Sequence, residues 1–535
     1  MFARMRRALA ALCLAACGLG AWAAPLYDLS PEVAASLSDS SVKHRDAAIQ
    51  ALGSDISEQN ADLLRKLSSG LVYFDPQSGE IYIRKDRSSD TYSKVSDGSE
   101  AQSPSGLRRS AVSTAQRKAI SGYLQSFHLF SEDAAVRLKA AQDLAEPGAK
   151  SLPLETFDKL LSREQDGEVY AALKLARALA LAKSGNAGRQ ETFEALDLLK
   201  SDSSASALQA AQALEGSKDP EIAKAAKSSA GYIKFCQKLS DLTMTLFFGL
   251  SLGSVLVLAA VGLSITFGVM GVINMAHGEL IMIGAYTVWI IQQLMPQSPG
   301  AALLLSIPGA FIVSGLMGIL IERTVIRHLY GRPLETLLAT FGISLILQQL
   351  VRTLFSPLNR AVTSPEFMSG TLKVSTNLSF TWNRIAIILF CIAVFFIILA
   401  IMKKTRLGLE VRAVSQNRPI ARALGIRAAR VDALTFGLGS GVAGMAGVAL
   451  SQITNVGPNL GQNYIVDSFM VVVFGGAGNL WGTLTGGLIM GVANKLLEPL
   501  SGAMLSKIII LVALILFIQK RPRGLFPQRG RAAED

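Results

Sequence analysis

Leu242-Thr243-Met244-Thr245-Leu246-Phe247-Phe248-Gly249 opens a run that continues through Gly268-Val269-Met270-Gly271-Val272-Ile273-Asn274-Met275-Ala276-His277-Gly278 and closes on Glu279. Those 37 residues, 242 to 278, contain no Asp, Glu, Lys or Arg. A membrane span needs about 20 apolar residues, so the run is too long for one span and tight for two. Further apolar runs lie at 301–322, 336–356, 385–402, 433–451, 465–478, 479–497 and 503–519. With 242–263 and 265–290 they predict an all-α, polytopic membrane bundle of about nine spans. The run 465–478 is short for an upright span and reads as a broken or re-entrant segment.

Composition agrees with a membrane. The chain has 535 residues, of which 50% are hydrophobic and only 17% charged, against about 25% charged in soluble proteins. A single soluble enzyme, a fibre and a disordered chain are excluded. The net charge of +12 lies largely in clusters between apolar runs. These are Arg323, Arg327 and Arg332; eight basic residues from Lys403 to Arg430; and Lys520, Arg521, Arg523, Arg529 and Arg531. Positive charge beside spans favours the cytoplasmic face. An odd number of spans starting outside at residue 240 puts all three clusters inside, so the charge marks orientation rather than nucleic acid.

The first 240 residues belong to a different solvent class. Arg4, Arg6 and Arg7 precede an apolar stretch and Ala21-Trp22-Ala23, the layout of a signal peptide over 1–23. Leu14-Ala15-Ala16-Cys17 offers the alternative of lipidation at Cys17. Either way residues 24–240 are expected to be exported, as a periplasmic helical domain. Its Ala-rich stretches at 44–52, 133–145, 168–182, 191–199 and 205–214 suit stacked HEAT-like helix pairs or an ordinary bundle. Leu71 to Ile83 reads as one β-hairpin, and 86–107 as a Ser/Asp/Gly-rich loop. Four cysteines provide neither a disulfide framework nor a metal site. Nothing here pairs a nucleophile with a base, so binding is the expected role.

Two places break the rules for simple anchor helices. Asn274, His277 and Glu279 fall within the second expected span, where an ionisable group costs about 2.5–3.5 kcal/mol and faces an interior or cavity. On a regular helix Asn274 and His277 share a face while Glu279 points elsewhere; Gly271 and Gly278 allow a break that gathers all three. The cluster can line a substrate path or only lock helices together. The second place is Gly437 to Gly447 with Gly475, Gly476 and Asn479, where small residues permit close packing or an unwound transport segment.

From these residues outward, about 242–525, the chain resembles the Liv-type permease family of ABC importers for branched-chain amino acids. The motifs are Gly268 to Glu279, Gly284-Ala285-Tyr286, Leu338 to Gly342, Phe474 to Gly482, and Arg412-Ala413, Asn417, Ala421 and Gly425-Ile426. With an exported domain added, the chain resembles the B-type permease subunit of urea ABC transporters. The resemblance implies a permease domain over 241–525, a cytoplasmic tail over 526–535 and the bacterial inner membrane. It implies a transport subunit rather than an enzyme, carrying urea, with branched-chain amino acids or short-chain amides as alternative cargo. No G-x-x-x-x-G-K-[ST] occurs, so no cofactor is expected on this chain and ATP is used by partner subunits. The implied partners are a second Liv-type permease, two ABC ATPases, a periplasmic solute-binding protein and membrane lipid. Loop 403–432, with Arg412, Asn417, Ala421, Leu424 and Gly425, resembles the segment that couples such permeases to their ATPases. Asn417-Arg418-Pro419 starts a short helix there and Gly425 stops it. A solvated basic loop is the plainer reading, and a membrane receptor is the rival function.

Overall fold

The computed structural model describes residues 27, 29–38, 42–54, 57–85, 91–102, 106–146, 152–184 and 188–526. The expected signal segment, with Cys13 and Cys17, and residues 527–535 lie outside the described residues. The chain divides into two compact units, Met1–Lys234 and Phe235–Asp535.

The first unit begins with α1 (Pro31–Ser38), α2 (Val42–Ser54) and α3 (Glu58–Ser69). Strands β1 (Val72–Phe74) and β2 (Ile81–Arg84) form the expected hairpin, pairing Val72 with Ile83 and Phe74 with Ile81. Val72, Phe74, Ile81 and Ile83 are buried while Tyr73 and Tyr82 are half-buried, the alternation of a one-sided sheet. The expected loop over 86–107 is corrected. It contains β3 (Thr91–Lys94) and β4 (Glu100–Gln102), and β5 (Arg108–Arg109) follows, giving the order β4-β3-β2-β1-β5. These strands lack an apolar rhythm; the β3–β4 turn carries the signal instead, in the same form as the β1–β2 turn. Gln77 N–H donates to Asp75 Oδ1 at 2.9 Å, and Ser99 N–H to Asp97 Oδ1 at 3.0 Å. Gly79 and Gly98 close those turns with φ of 73° and 70°.

Helix α4 (Thr114–His128) covers the sheet's core through Ile120. Beyond it run α5 (Ala134–Leu144), α6 (Leu154–Arg163), α7 (Gly167–Ser184), α8 (Arg189–Asp202) and α9 (Ala205–Leu214). α7 packs against α5, α6, α8 and α9. Buried Ala140, Ala141, Ala176, Ala210 and Ala211 keep side chains short between backbones, which explains the Ala-rich stretches. Arg137 grips Glu164 with two parallel hydrogen bonds of 2.8 and 2.9 Å, tying α5 to the end of α6.

The second unit takes in most of α10 (Pro220–Met270), then α11 (His277–Leu294), α12 (Pro299–Thr324) and α13 (Pro333–Phe355). A small hairpin follows, β6 (Thr371–Ser375) with β7 (Leu378–Thr381). It leads into α14 (Trp382–Lys404), α15 (Arg406–Gln416), α16 (Arg418–Ala423), α17 (Ala428–Ser451), α18 (Leu460–Gly475) and α19 (Leu480–Lys520). Among the described residues six helices are long and apolar enough to cross a membrane. α11 and α18 fall outside that set, and α19 breaks at Gly502, where φ is 79° and ψ 165°. The boundaries of two expected spans are corrected. The helix continues past 263 to Met270, because nothing in Leu263-Ser264-Ile265 interrupts it; the break comes at Gly271. The short run at 465–478 is instead α18, starting five residues earlier and ending at the Gly475-Gly476 turn.

α17 is the centre of this unit. All but Ala429, Arg430 and Leu434 of its residues are buried, against α11 and α12 above all. A Cβ at Gly439 would lie 2.6 Å from the Gly262 carbonyl oxygen, and one at Gly444 2.5 Å from that of Ala310. The glycines of 437–447 therefore let backbones touch.

The Arg137 guanidinium holds the Glu164 carboxyl below its ordinary value of 4.5. A depressed carboxylate contributes stability above its unfolded pKa and loses it as pH falls through the folded value. Hydrogen exchange over residues 134–184 of the full-length protein should therefore accelerate as pH falls below 4.5, after correction for intrinsic rates. Glu164→Gln should flatten that acid limb; an unchanged limb would assign the acid sensitivity to another carboxylate.

Candidate functional site at the helix break

Residues 271–276 are not helical. Gly271 turns the chain with φ of 66°, a conformation that a side chain disfavours. The segment is then held by polar bonds in place of a helix ladder. Asn274 Oδ1 accepts from the Ala276 N–H at 3.0 Å, and the Met275 N–H donates to Thr340 Oγ1 at 3.1 Å. His277 is thus the first residue of α11 rather than a mid-helix residue, and the shared helical face with Asn274 does not exist.

The three polar residues are enclosed, with exposures of 1% for Asn274, 0% for His277 and 1% for Glu279. His277 Nε2 lies 2.9 Å from the Ala259 carbonyl oxygen. A carbonyl only accepts, so Nε2 carries the proton and Nδ1 presents a lone pair. Glu279 Oε1 accepts from Ser344 Oγ and, at 2.7 Å, from Gln348 Nε2. Ser344 is the central residue of α13, so Glu279 sits half-way along that helix. Three buried atoms here have no partner among the described residues: Asn274 Nδ2, His277 Nδ1 and Glu279 Oε2. They are one donor and two acceptors.

Gly278 carries no side chain because α18 passes directly over it; a Cβ there would lie 2.6 Å from the Gly461 carbonyl oxygen. A Cβ on Gly461 would in turn lie 2.6 Å from Glu279 Oε2. Asn274 also borders a cavity of about 320 Å³ whose other lining residues, such as Ile465, Phe469, Leu514 and Ile518, are apolar.

Gly475, Gly476 and Asn479 have other work. Asn479 Oδ1 caps α19 by accepting from Trp481 N–H and Gly482 N–H, and its Nδ2 donates to the Phe526 carbonyl. Gly476 adopts φ of 101°, and Gly475 packs on Gly482. The glycines of this cluster are closely packed. Sequence reasoning missed Ser344 and Gln348, and held Thr340 only as part of the 338–342 motif. With Thr336 they form a polar row at every fourth position of an otherwise apolar helix, and all four are buried.

The 403–432 segment folds much as expected. Asn417 Oδ1 caps α16 by accepting from the Ile420 N–H at 3.1 Å, and Gly425 closes it with φ of 87°. Ile420 and Leu424 are exposed, Leu424 at 77%. Arg412 donates to the Met402 carbonyl, bracing α15 on the end of α14. Ala421 is corrected: it is 2% exposed and packs inward with Val411, Val414 and Val431, because the short helix needs one small face against α15 and α17. Arg418 is ion-paired to Asp432, which is fully buried, and lies 4.7 Å over the Tyr330 ring. The Tyr330 hydroxyl donates to Glu322 Oε1 at 3.1 Å.

Residues 245–518 match the family described as branched-chain amino acid transport system / permease component. The chain belongs to this permease family. The high-affinity branched-chain amino acid transport system permease protein LivH of Salmonella typhimurium is 33% identical to it over 291 residues, 52% of this chain and 94% of that protein. BraD of Pseudomonas aeruginosa, a permease protein of the same description, is 30% identical over 287 residues, 52% of this chain and 93% of its own. The ribose import permease RbsC of Bacillus subtilis is 31% identical over 134 residues, 23% of this chain and 42% of that one. No solved structure matches. This permease is a multi-pass membrane transport subunit and not an enzyme.

Two variants of the permease separate shape from charge at Glu279. Glu279→Gln keeps an oxygen for Ser344 and Gln348, so the melting temperature in detergent should stay near that of the parent. Glu279→Leu strands both donors, at about 1–3 kcal/mol for a buried unpaired group, and should melt clearly lower. Equal melting of the two would show that these bonds do not brace α13 on α11.

Proposed function

We propose that the chain is the membrane-spanning subunit of an ATP-driven ABC importer whose cargo is urea. The observation that carries this reading is the set of three unpartnered buried atoms at the helix break. Urea has one carbonyl acceptor and two NH₂ groups; Asn274 Nδ2 can donate to the first, while Glu279 Oε2 and His277 Nδ1 can accept from the others. Crossing hydrocarbon without such partners costs several kcal/mol per group. The resemblance to urea permeases, with a helical domain before the permease segment, supports the same cargo. A second reading, branched-chain amino acid import, is favoured by the relatives' names and by the apolar cavity beside Asn274, which suits an aliphatic side chain.

In this reading the basic 403–432 segment faces the cytoplasm and the first unit the periplasm. Exposed Ile420 on α16 and Leu424 at its C-terminal cap offer the apolar contact for an ATPase partner. Further partners are a second permease subunit, a second ATPase and a solute-binding protein, the last received or braced by the exported unit.

Uptake of labelled urea and of labelled leucine, with and without this chain, tests the cargo; urea uptake should depend on it. Glu279→Gln puts a donor where an acceptor is needed. Urea uptake should fall about tenfold, taking one charge-assisted bond as roughly 1.5–3 kcal/mol, at unchanged protein level. Full activity of that variant would reduce the cluster to bracing. Leu424→Asp should abolish ATP-driven uptake while membrane insertion stays normal; undiminished uptake would remove α16 from the coupling surface.

A further inference from the structure

A second polar recess lies far from the coupling segment. α17 runs from Ala428, beside Arg418 and Asp432, to Ser451, a rise of about 36 Å at 1.5 Å per residue. At its far end a cavity of about 550 Å³ is lined by Asn359, Asn455, Asn459, Asn463, Tyr464 and Lys507, among others. Asparagine amides dominate it. Asn459 Oδ1 accepts from Arg352 at 2.7 Å. The side chains of Asn359, Asn455 and Asn463 make no hydrogen bond with another described residue and remain available to a solute. Lys507 is the cation of the recess, and its charge is met by Asp467 at 2.8 Å. The lining is therefore rich in donors and acceptors, and Lys507, its cation, is already paired.

The recess is joined to the helix break by one turn of chain. Leu460 lines it, and the next residue, Gly461, is the one packed against Gly278 and Glu279 Oε2. Its height fits as well. Arg352, bonded to Asn459, stands eight residues beyond Ser344 on α13, about 12 Å toward the end remote from the coupling segment. Asn459 thus stands on the side of Glu279 remote from α16, while Leu460 and Gly461 lead from the lining back to Glu279.

We infer that this asparagine-lined recess is the entrance site of the permease. It takes a small neutral or zwitterionic solute with N–H and C=O groups before that solute passes Gly461 to reach Glu279. The inference rests on the transport reading above. Side-chain amides supply both halves of each hydrogen bond and add no net charge, so a solute with a free net charge gains nothing from the lining.

Thiol accessibility in the assembled transporter tests it. In a Cys236→Ser background, Asn463→Cys and, separately, Asn455→Cys should react with a membrane-impermeant charged thiol reagent added from outside. Whichever of urea or leucine is transported, at saturating concentration, should slow that reaction at least about fivefold; a cysteine at exposed Leu358 should react unchanged. Asn455→Ala with Asn463→Ala should lower uptake about tenfold, the loss of one or two hydrogen bonds. Labelling of both cysteines that ignores a transported cargo, with uptake by the double alanine variant intact, would overturn the entrance site and leave the transport reading standing. Reaction only from the cytoplasmic side would overturn it too. If uptake of neither solute depended on this chain, the transport reading would fall and the entrance site with it.

Discussion

The second unit depends on the contact of one backbone with another where no Cβ intervenes. α17 has its carbonyls against α10 at Gly439, and α12 has its own against α17 at Gly444. Alanine at either point would place an atom about 2.5–2.6 Å from a carbonyl oxygen, well inside the usual range of carbon contacts. Close approach matters for more than dispersion energy. It brings His277 within reach of the Ala259 carbonyl and Gly461 over Glu279. The polar residues of the break are then held from α10, α13 and α18.

How far the sequence could be read depended on which signal carried each element. Long apolar runs announced most membrane helices, because hydrophobicity alone places them. The end of α10 was misplaced by several residues, since Gly271, not the apolar run's midpoint, sets it. The hairpin at 72–84 was visible in alternation, whereas β3 and β4 were invisible there and legible only in the Asx turn between them. At the site, Asn274, His277 and Glu279 stood out as polar groups in an apolar run. Ser344 and Gln348 did not, because hydroxyls and amides four residues apart resemble ordinary helix decoration until a carboxylate is found facing them. Ala421 erred the other way: a small residue in a basic loop looked like a surface contact and proved to be core.

The chemistry of the break follows from what the helix gives up. Six residues without a ladder leave backbone groups to be satisfied by side chains, and Thr340 and Asn274 take that duty with one atom each. Asn274 has its amide nitrogen to spare, just as Glu279 has its second oxygen. Irregular backbone inside a bilayer is tolerated only within protein or beside a cavity, and this segment has both.

The pairing of Arg418 with Asp432 has a mechanical reading. Asp432 is wholly buried at the base of α17, and Arg418 is the second residue after the residue that begins the turn into α16, Gln416. Pulling α16 away would strand a buried carboxylate, at about 3–5 kcal/mol for a broken buried pair. It would also lift the guanidinium off Tyr330, whose hydroxyl is bonded to Glu322 at the end of α12. A push on the outer face of α16 is therefore not absorbed by a pliable loop. It is delivered, as through a rigid linkage, to the feet of the two helices whose glycines and carbonyls touch deeper in the bundle.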